Sequence, residues 1–371
     1  MAYPQIERLK EQYRSEEKWY SLRWHYIESC ILKAYMDSYK RTGDEADYRF
    51  VKLFIDRLYD QSGMIPGIRL DYYSIDQIRM ASVLLSLYEV DPDPKYKRVA
   101  DQLYGQLAFY PRTDSGNFWH KQDYPHQVWL DGLYMGQPFY VEYVKQFIGT
   151  RDYSDTIAQF ANISRHLYNR ENRLFYHAYD ESRSIFWADK ETGRSPQVWA
   201  RAVGWLAMAL VDVLELLAGE PADTGPLQEQ LLEVIEGMLP YQHSSGMWYQ
   251  VVDRGASPGN YLEASGTLML AFAILKGVRL SLLPSHWAVR GQAAFDGTAS
   301  HYLREEQGEV LLGGICKGAG LGRNPDSGIV RDGSYEYYVY NEKVADNNGH
   351  GVAALLLAYN EICRALLPDA R

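Results

Sequence analysis

Apolar residues along this chain fall into two alternating kinds of helical pattern. The first is rich in Ala, Gly and Ser and apolar on nearly every side. It appears as WHYIESCILKAYMDSY, SIDQIRMASVLLSLYEV, WLDGLYMGQPFYVEYVKQF, RAVGWLAMALVDVLELL, EASGTLMLAFAILKGVRL and GHGVAALLLAYNEICRAL, near Tyr26, Asp76, Asp131, Trp205, Ser265 and Val352. Helices apolar all round are buried helices, and small residues let them approach closely. Between them lie stretches such as ADYRFVKLFIDRLYD, PKYKRVADQLYGQLAFY and DYSDTIAQFANISRHLY, whose apolar residues recur at helical spacing and leave one wet face. Few runs alternate as strands do. SGMWYQVVD and RLFYHAYD read as small strands or hairpins within loops.

Alternating inner and outer helices predict an all-α architecture, a six-hairpin (α/α)6 barrel or toroid with a funnel at one end. An open helical solenoid is the alternative arrangement. The spacing between inner segments varies widely, so the repetition is structural and not a fixed sequence period. No Pro, Gly and Ser-rich stretch, charge run or low-complexity segment marks a linker, which predicts a single barrel domain over 1–371.

Composition narrows the function. Tyr 31, Trp 9 and Phe 11 give an aromatic-rich chain, and flat rings suit the faces of pyranose sugars. A net charge of -10 argues against nucleic acid, yet a small anion needs only two or three local cations. The charged start MAYPQIERLKEQYRSEEK lacks an apolar signal region, and no apolar run reaches membrane-spanning length. Cys30, Cys316 and Cys363 are scattered and not in metal-ligand spacing. A cytoplasmic protein is expected, with no metal, no cofactor, and no nucleic-acid or membrane partner.

Loops leading into the inner helices carry the candidate chemistry. Asp131 sits among Trp129, Leu130, Leu133 and Met135, where burial would favour its protonated form; the competing reading is a helix N-cap. Asp76 opens another inner helix, again as acid or cap, and Arg79 three residues on is placed to pair with it. Two carboxyls facing one cavity push their pKa values apart, leaving one protonated. Trp199, Arg201 and Trp205 offer indoles for stacking and a guanidinium for a carboxylate; core filling and an internal salt bridge are the alternatives. His177 and the pair His120–Lys121 occupy loops. No phosphate loop, dinucleotide fingerprint, nucleophile elbow or zinc-protease helix is present in the sequence.

In order and spacing, SIDQIR, HQVWLDGLYM, YHAYDE, WARAVGW, SGMWYQVVD, YLEASGTLMLAFAILKGVRL and GHGVAALLLA resemble the unsaturated rhamnogalacturonyl hydrolases of glycoside hydrolase family 105 over nearly the whole chain. The resemblance implies a six-hairpin α/α barrel that removes a 4,5-unsaturated uronic acid from the end of pectin fragments, small anionic oligosaccharides. It implies that Asp131 is the acid/base and Asp76 the second essential carboxylate. It further implies that His177, Trp199, Arg201, Trp205 and Lys121 contact substrate. Val203 stands where relatives often carry Asn, and DNNGHG departs from the commoner D-x-K-G-x-G around Asp346. The implied mechanism is protonation of the sugar double bond by Asp131, hydration at carbon 5 with help from Asp76 and His177, and collapse of the hemiketal. Arg201 and Lys121 would hold the substrate carboxylate. Competing readings are a glycosidase on saturated chains, a barrel epimerase using paired histidines among His120, His126 and His177, and a non-catalytic sugar-binding barrel.

Overall fold

The computed structural model describes residues 3–15, 22–324 and 328–365. Helices dominate it. The six inner segments become α2 (Tyr26–Thr42), the pair α4 (Ile75–Ile78) and α5 (Ala81–Val90), α7 (Leu130–Phe147), α9 (Ala200–Leu217), α11 (Ala264–Arg279) and α13 (Gly349–Ala365). Flanking them are α1 (Pro4–Arg14), α3 (Glu45–Asp56), α6 (Pro94–Leu107), α8 (Ser154–Leu167), α10 (Gly225–Met238) and α12 (Ala288–Tyr302).

Local chemistry sets many of the ends. Asp44 and Asp93 accept the backbone N–H groups of Ala46 and Lys95, capping α3 and α6, and Pro94 occupies the first turn of α6. Glu263 caps α11 by accepting from Gly266. Gly43, at φ 72°, closes α2 in the left-handed conformation that a glycine adopts without strain.

The burial of α9 and α11 on nearly all sides follows from their composition. α9 packs on α7 and on α11, α11 on α13, α13 on α2, α2 on α4 and α5, and these two on α7. Small residues bring the helices together: a Cβ added at Gly266 would stand 2.8 Å from the backbone of Ala200 and Arg201, and one at Gly136 would stand 2.8 Å from the Ile75 side chain. α3, α6, α10 and α12 pack outside α2, α5, α9 and α11 respectively.

Short two-stranded pairs decorate the loops. RLFYHAYD contributes to two of them: Leu174–Phe175 pairs with Tyr168–Asn169, and Ala178–Asp180 pairs antiparallel with Gln127–Trp129. SGMWYQVVD makes only isolated bridges, Trp199 to Val251 and Tyr249 to Leu262, before a 3-10 turn at Val252–Arg254. Among the described residues no helix is long and apolar enough to cross a membrane.

Candidate active site

A cavity of about 520 Å³ opens where inner helices begin. Tyr26 and Ile27 from α2, Asp76 from α4, Asp131 and Met135 from α7 and His350 from α13 line it, together with loop residues that include Lys121, Tyr124 and Trp129. Each helix start carries unpaired N–H groups and a partial positive charge, so their convergence favours a negatively charged guest.

Backbone pairing decides which side chains meet. A bridge between Ser74 and Lys121 brings the loop back onto the start of α4, and Ile75 N donates to the His120 carbonyl at 3.1 Å. Lys121 Nζ consequently lies 2.8 Å from Asp76 Oδ2, and His120 Nε2 lies 3.9 Å from Asp76 Oδ1. On the other side, Trp129 pairs with Ala178 and Leu130 N donates to the His177 carbonyl at 3.0 Å. That register sets His177 Nε2 3.3 Å from Asp131 Oδ2.

Both aspartates lie inside their helices. Ser74 and Trp129 occupy the cap positions, and neither makes a side-chain capping bond. The cap reading is thus removed for both. The expected Asp76–Arg79 pair is also corrected: Arg79 turns into the core, bonding to Ser82 Oγ at 3.1 Å and Tyr134 OH at 3.0 Å. Burial alone would raise the Asp76 carboxyl; Lys121 and His120 outweigh it and hold the group below its ordinary value. Burial pushes His120 down to about 4, so its ring is neutral at pH 7. It stacks on Trp129 with centroids 4.2 Å apart, and Tyr124 stacks on the same indole at 5.3 Å.

The remaining sequence candidates form a layer beneath the cavity. His177 is 0 % exposed and Trp199, Arg201 and Trp205 are at most 2 % exposed. Trp199 packs on the His177 ring at 4.9 Å and donates Nε1–H to Gln250 at 3.0 Å. Trp205 stacks on Tyr134 at 5.1 Å and meets His350 edge-on. Arg201 lies over the Trp199 ring and donates to Ser265 Oγ and to the Cys316 carbonyl. The internal salt bridge considered for it is absent among the described residues. Asp346 pairs with Arg304 at 2.6 Å and does not line this cavity. His126 packs against Trp119, outside it.

Several lining residues were not legible beforehand. His350 accepts from Tyr26 OH at 2.8 Å and donates Nδ1–H to Asn348 at 2.7 Å, and burial keeps it neutral. Its signal was the GHG at the start of the last inner segment, a motif noted for its glycines alone. Lys317 and Arg331 bring cations with no carboxylate at salt-bridge distance among the described residues, although Arg331 acts electrostatically on Glu342, which also lines the cavity. Arg331 is aimed by Tyr124 OH at 3.0 Å and the Leu321 carbonyl at 3.3 Å. They come from a Gly-rich loop without helical period, which gave no sign of facing the site. Among the described residues no group of three or more His, Cys, Asp or Glu is arranged to hold a metal ion.

The cavity lies at the helix starts of a mostly helical protein, lined by separated carboxylates, cations and aromatic rings, and the class of this protein is glycoside hydrolase. The chain belongs to Glycosyl Hydrolase Family 88, whose pattern matches residues 2–366. It is similar to a glycoside hydrolase from family 105 of C. acetobutylicum ATCC 824, at 36 % identity and TM-score 0.91, covering 97 % of this chain and 99 % of that one. Protein Atu3128 of Agrobacterium fabrum is 38 % identical over 232 residues, covering 61 % of this chain and 97 % of the relative. Unsaturated rhamnogalacturonyl hydrolase YesR of Bacillus subtilis is 24 % identical over 264 residues, covering 69 % of this chain and 72 % of that protein.

Proposed function

We propose that this protein removes a terminal 4,5-unsaturated uronic acid from pectin-derived, rhamnogalacturonan-type oligosaccharides by protonating and hydrating the double bond. The observation that carries the reading is the unequal setting of two carboxyls on one cavity: Asp76 held ionised beside Lys121, and Asp131 beside His177 with no cation paired to it among the described residues. The family 105 relationship and the likeness to a protein described as an unsaturated rhamnogalacturonyl hydrolase support the same chemistry.

The unsaturated sugar is a vinyl ether. Asp131 donates its proton to carbon 4, and positive charge develops at carbon 5 and the ring oxygen. Water adds at carbon 5 and gives its proton to the Asp131 carboxylate. The hemiketal then opens, releasing the leaving sugar and an open-chain product. Ionised Asp76 faces the same cavity and opposes the developing positive charge. Arg331 and Lys317 hold the substrate carboxylate, in place of Arg201, which is buried against Trp199 and outside the cavity lining, and Lys121, which is engaged by Asp76. Trp199, Arg201 and Trp205 act by packing beneath the groups that line the cavity.

The circuit of helix contacts that returns from α13 to α2 supports a closed (α/α)6 barrel forming one domain. Three free cysteines suit a reducing, cytoplasmic setting.

The test mixes purified protein with an unsaturated uronyl-rhamnose disaccharide and follows the ultraviolet absorbance of the conjugated double bond. Loss of absorbance with release of free rhamnose is expected. Loss only with other unsaturated uronides would replace the substrate and keep the mechanism. No loss with any of them would end the reading.

A further inference from the structure

His177 touches Asp131 with one ring nitrogen and leaves the other for a residue distant in sequence. Its Nδ1 lies 2.6 Å from the hydroxyl of Tyr338. Tyr338 is fully buried within a single turn of π-helix, Tyr337–Asn341, a local widening often found at functional positions. The ring packs near Trp199 at 5.9 Å and Tyr337 at 5.2 Å, and Gln250, which also accepts from Trp199, donates to the Tyr338 carbonyl at 3.2 Å. Backbone and ring are therefore both fixed.

This geometry has one consistent proton arrangement. Among the described residues the Tyr338 hydroxyl meets His177 Nδ1 and no other acceptor. Burial raises the phenol well above its ordinary value, so it keeps its proton at neutral pH. A buried O–H left without an acceptor is costly, so it donates to Nδ1. Nδ1 then bears no hydrogen, and a neutral ring carries its proton on Nε2, the nitrogen on the Asp131 side.

We infer that Tyr338 is a positioning residue that locks His177 in the Nε2–H tautomer and thereby directs the catalytic proton of Asp131 to its Oδ1. The inference rests on the hydration reading above and adds the residue that orients its acid. Asp131 Oδ2 and His177 Nε2 are both buried 3.3 Å apart, without an aligned hydrogen bond between them and with no other hydrogen-bond partner; Oδ2 is closed off in this way, which leaves Oδ1 as the oxygen able to face the cavity. With the Nε2–H dipole 3.3 Å away, Oδ2 favours a lone pair over a hydrogen, and the acidic hydrogen sits on Oδ1, toward the substrate. In the opposite tautomer, a bare Nε2 would draw the acidic hydrogen onto Oδ2, away from the double bond. No bond is made or broken in this step; only the place of one proton is decided.

The experiment uses the full chain labelled with ¹⁵N-histidine, wild type and Tyr338→Phe, with long-range ¹H–¹⁵N correlation of the His177 ring. His177→Gln identifies the signals. The wild type is expected to show protonated Nε2 and bare Nδ1, and the variant a mixture or the opposite tautomer. Its kcat on an unsaturated uronide should fall roughly tenfold, the scale of one lost hydrogen bond in a transition state, with KM within about twofold. A wild-type ring protonated on Nδ1 would overturn the inference, whatever the variant does. So would a variant whose tautomer is unchanged, since a fall in kcat would then report packing alone. Absence of turnover by the wild type with the expected tautomer would remove the hydration reading and leave Tyr338's hold on the ring standing.

Discussion

Asp76 and Asp131 occupy equivalent places near the starts of two inner helices, yet their neighbours differ: Lys121 and His120 for Asp76, His177 for Asp131. Replacing Asp131 by Asn keeps shape and removes the proton. The expected result is a fall in kcat of roughly 10²–10⁴-fold, with disaccharide binding still measurable by calorimetry; a near-normal rate would exclude Asp131 as the acid. Asp76 depends on Lys121. Burial pushes its carboxyl up while Lys121, and His120 once it is protonated in acid, push it down and prevail. In Lys121→Met burial is opposed by less, so Asp76 takes up its proton at a higher pH. The acidic limb of the kcat/KM profile should accordingly move to higher pH, whereas Lys121→Arg should leave it near the wild-type position. Arg331→Gln tests the carboxylate site. A charge-assisted contact of about 1.5–3 kcal/mol is lost, so KM should rise roughly tenfold or more while kcat changes little.

At the scale of the element, the site depends on how closely inner helices approach. Arg201 begins the buried run of α9 against α11, and Gly266 is what permits that approach. A methyl there would stand 2.8 Å from the Ala200 carbonyl carbon and the Arg201 nitrogen, with backbone on the receiving side and little room to give. Gly266→Ala is expected to cost roughly 1–3 kcal/mol, read as a lower urea midpoint with an unchanged slope. The helical period identified α2, α7, α9, α11 and α13 directly, since small and apolar residues on every side leave no other home for such segments. The same period could not indicate that α4 and α5 form a broken inner element, or that Arg79 between them turns away from Asp76 toward Tyr134. Those outcomes depend on which neighbour fills the space.

Over the whole molecule, charge is segregated along the inner helices. Helix starts and cations gather at the cavity, while further along α9, α11 and α2 buried Lys276 joins buried Asp212 and the exposed Glu215, each at 2.6 Å, with Lys33 3.7 Å from Asp212. Burial opposes the charge on Asp212, and the two lysines prevail, bringing it down to about 2. A carboxyl lowered on folding stabilises fully above its unfolded value, about 3.9. That stability is lost as pH falls toward 2. Lys276→Met leaves Asp212 with the more distant Lys33 and Arg79. A loss of about 3 kcal/mol is expected, together with acid unfolding that begins at higher pH, both measurable by chemical denaturation across pH. Folded variant protein should retain its kcat, because none of these residues lines the cavity that holds Asp76 and Asp131.

The sequence by itself determined the helical architecture and the alternation of inner and outer segments, and it marked the two aspartates as candidates, because burial period and a carboxylate inside an apolar run are local patterns. It also named residues of the supporting layer, but not their depth. Trp199, Arg201 and Trp205 carry chemistry that suits a sugar, and only tertiary packing decided that they lie beneath the cavity. The partnership of Asp131 with His177 arises from the pairing of Gln127–Trp129 with Ala178–Asp180. Those of His350 with Tyr26 and His177 with Tyr338 span 324 and 161 residues. Contacts between residues so far apart follow from chain closure in three dimensions, and no local period along the chain encodes them.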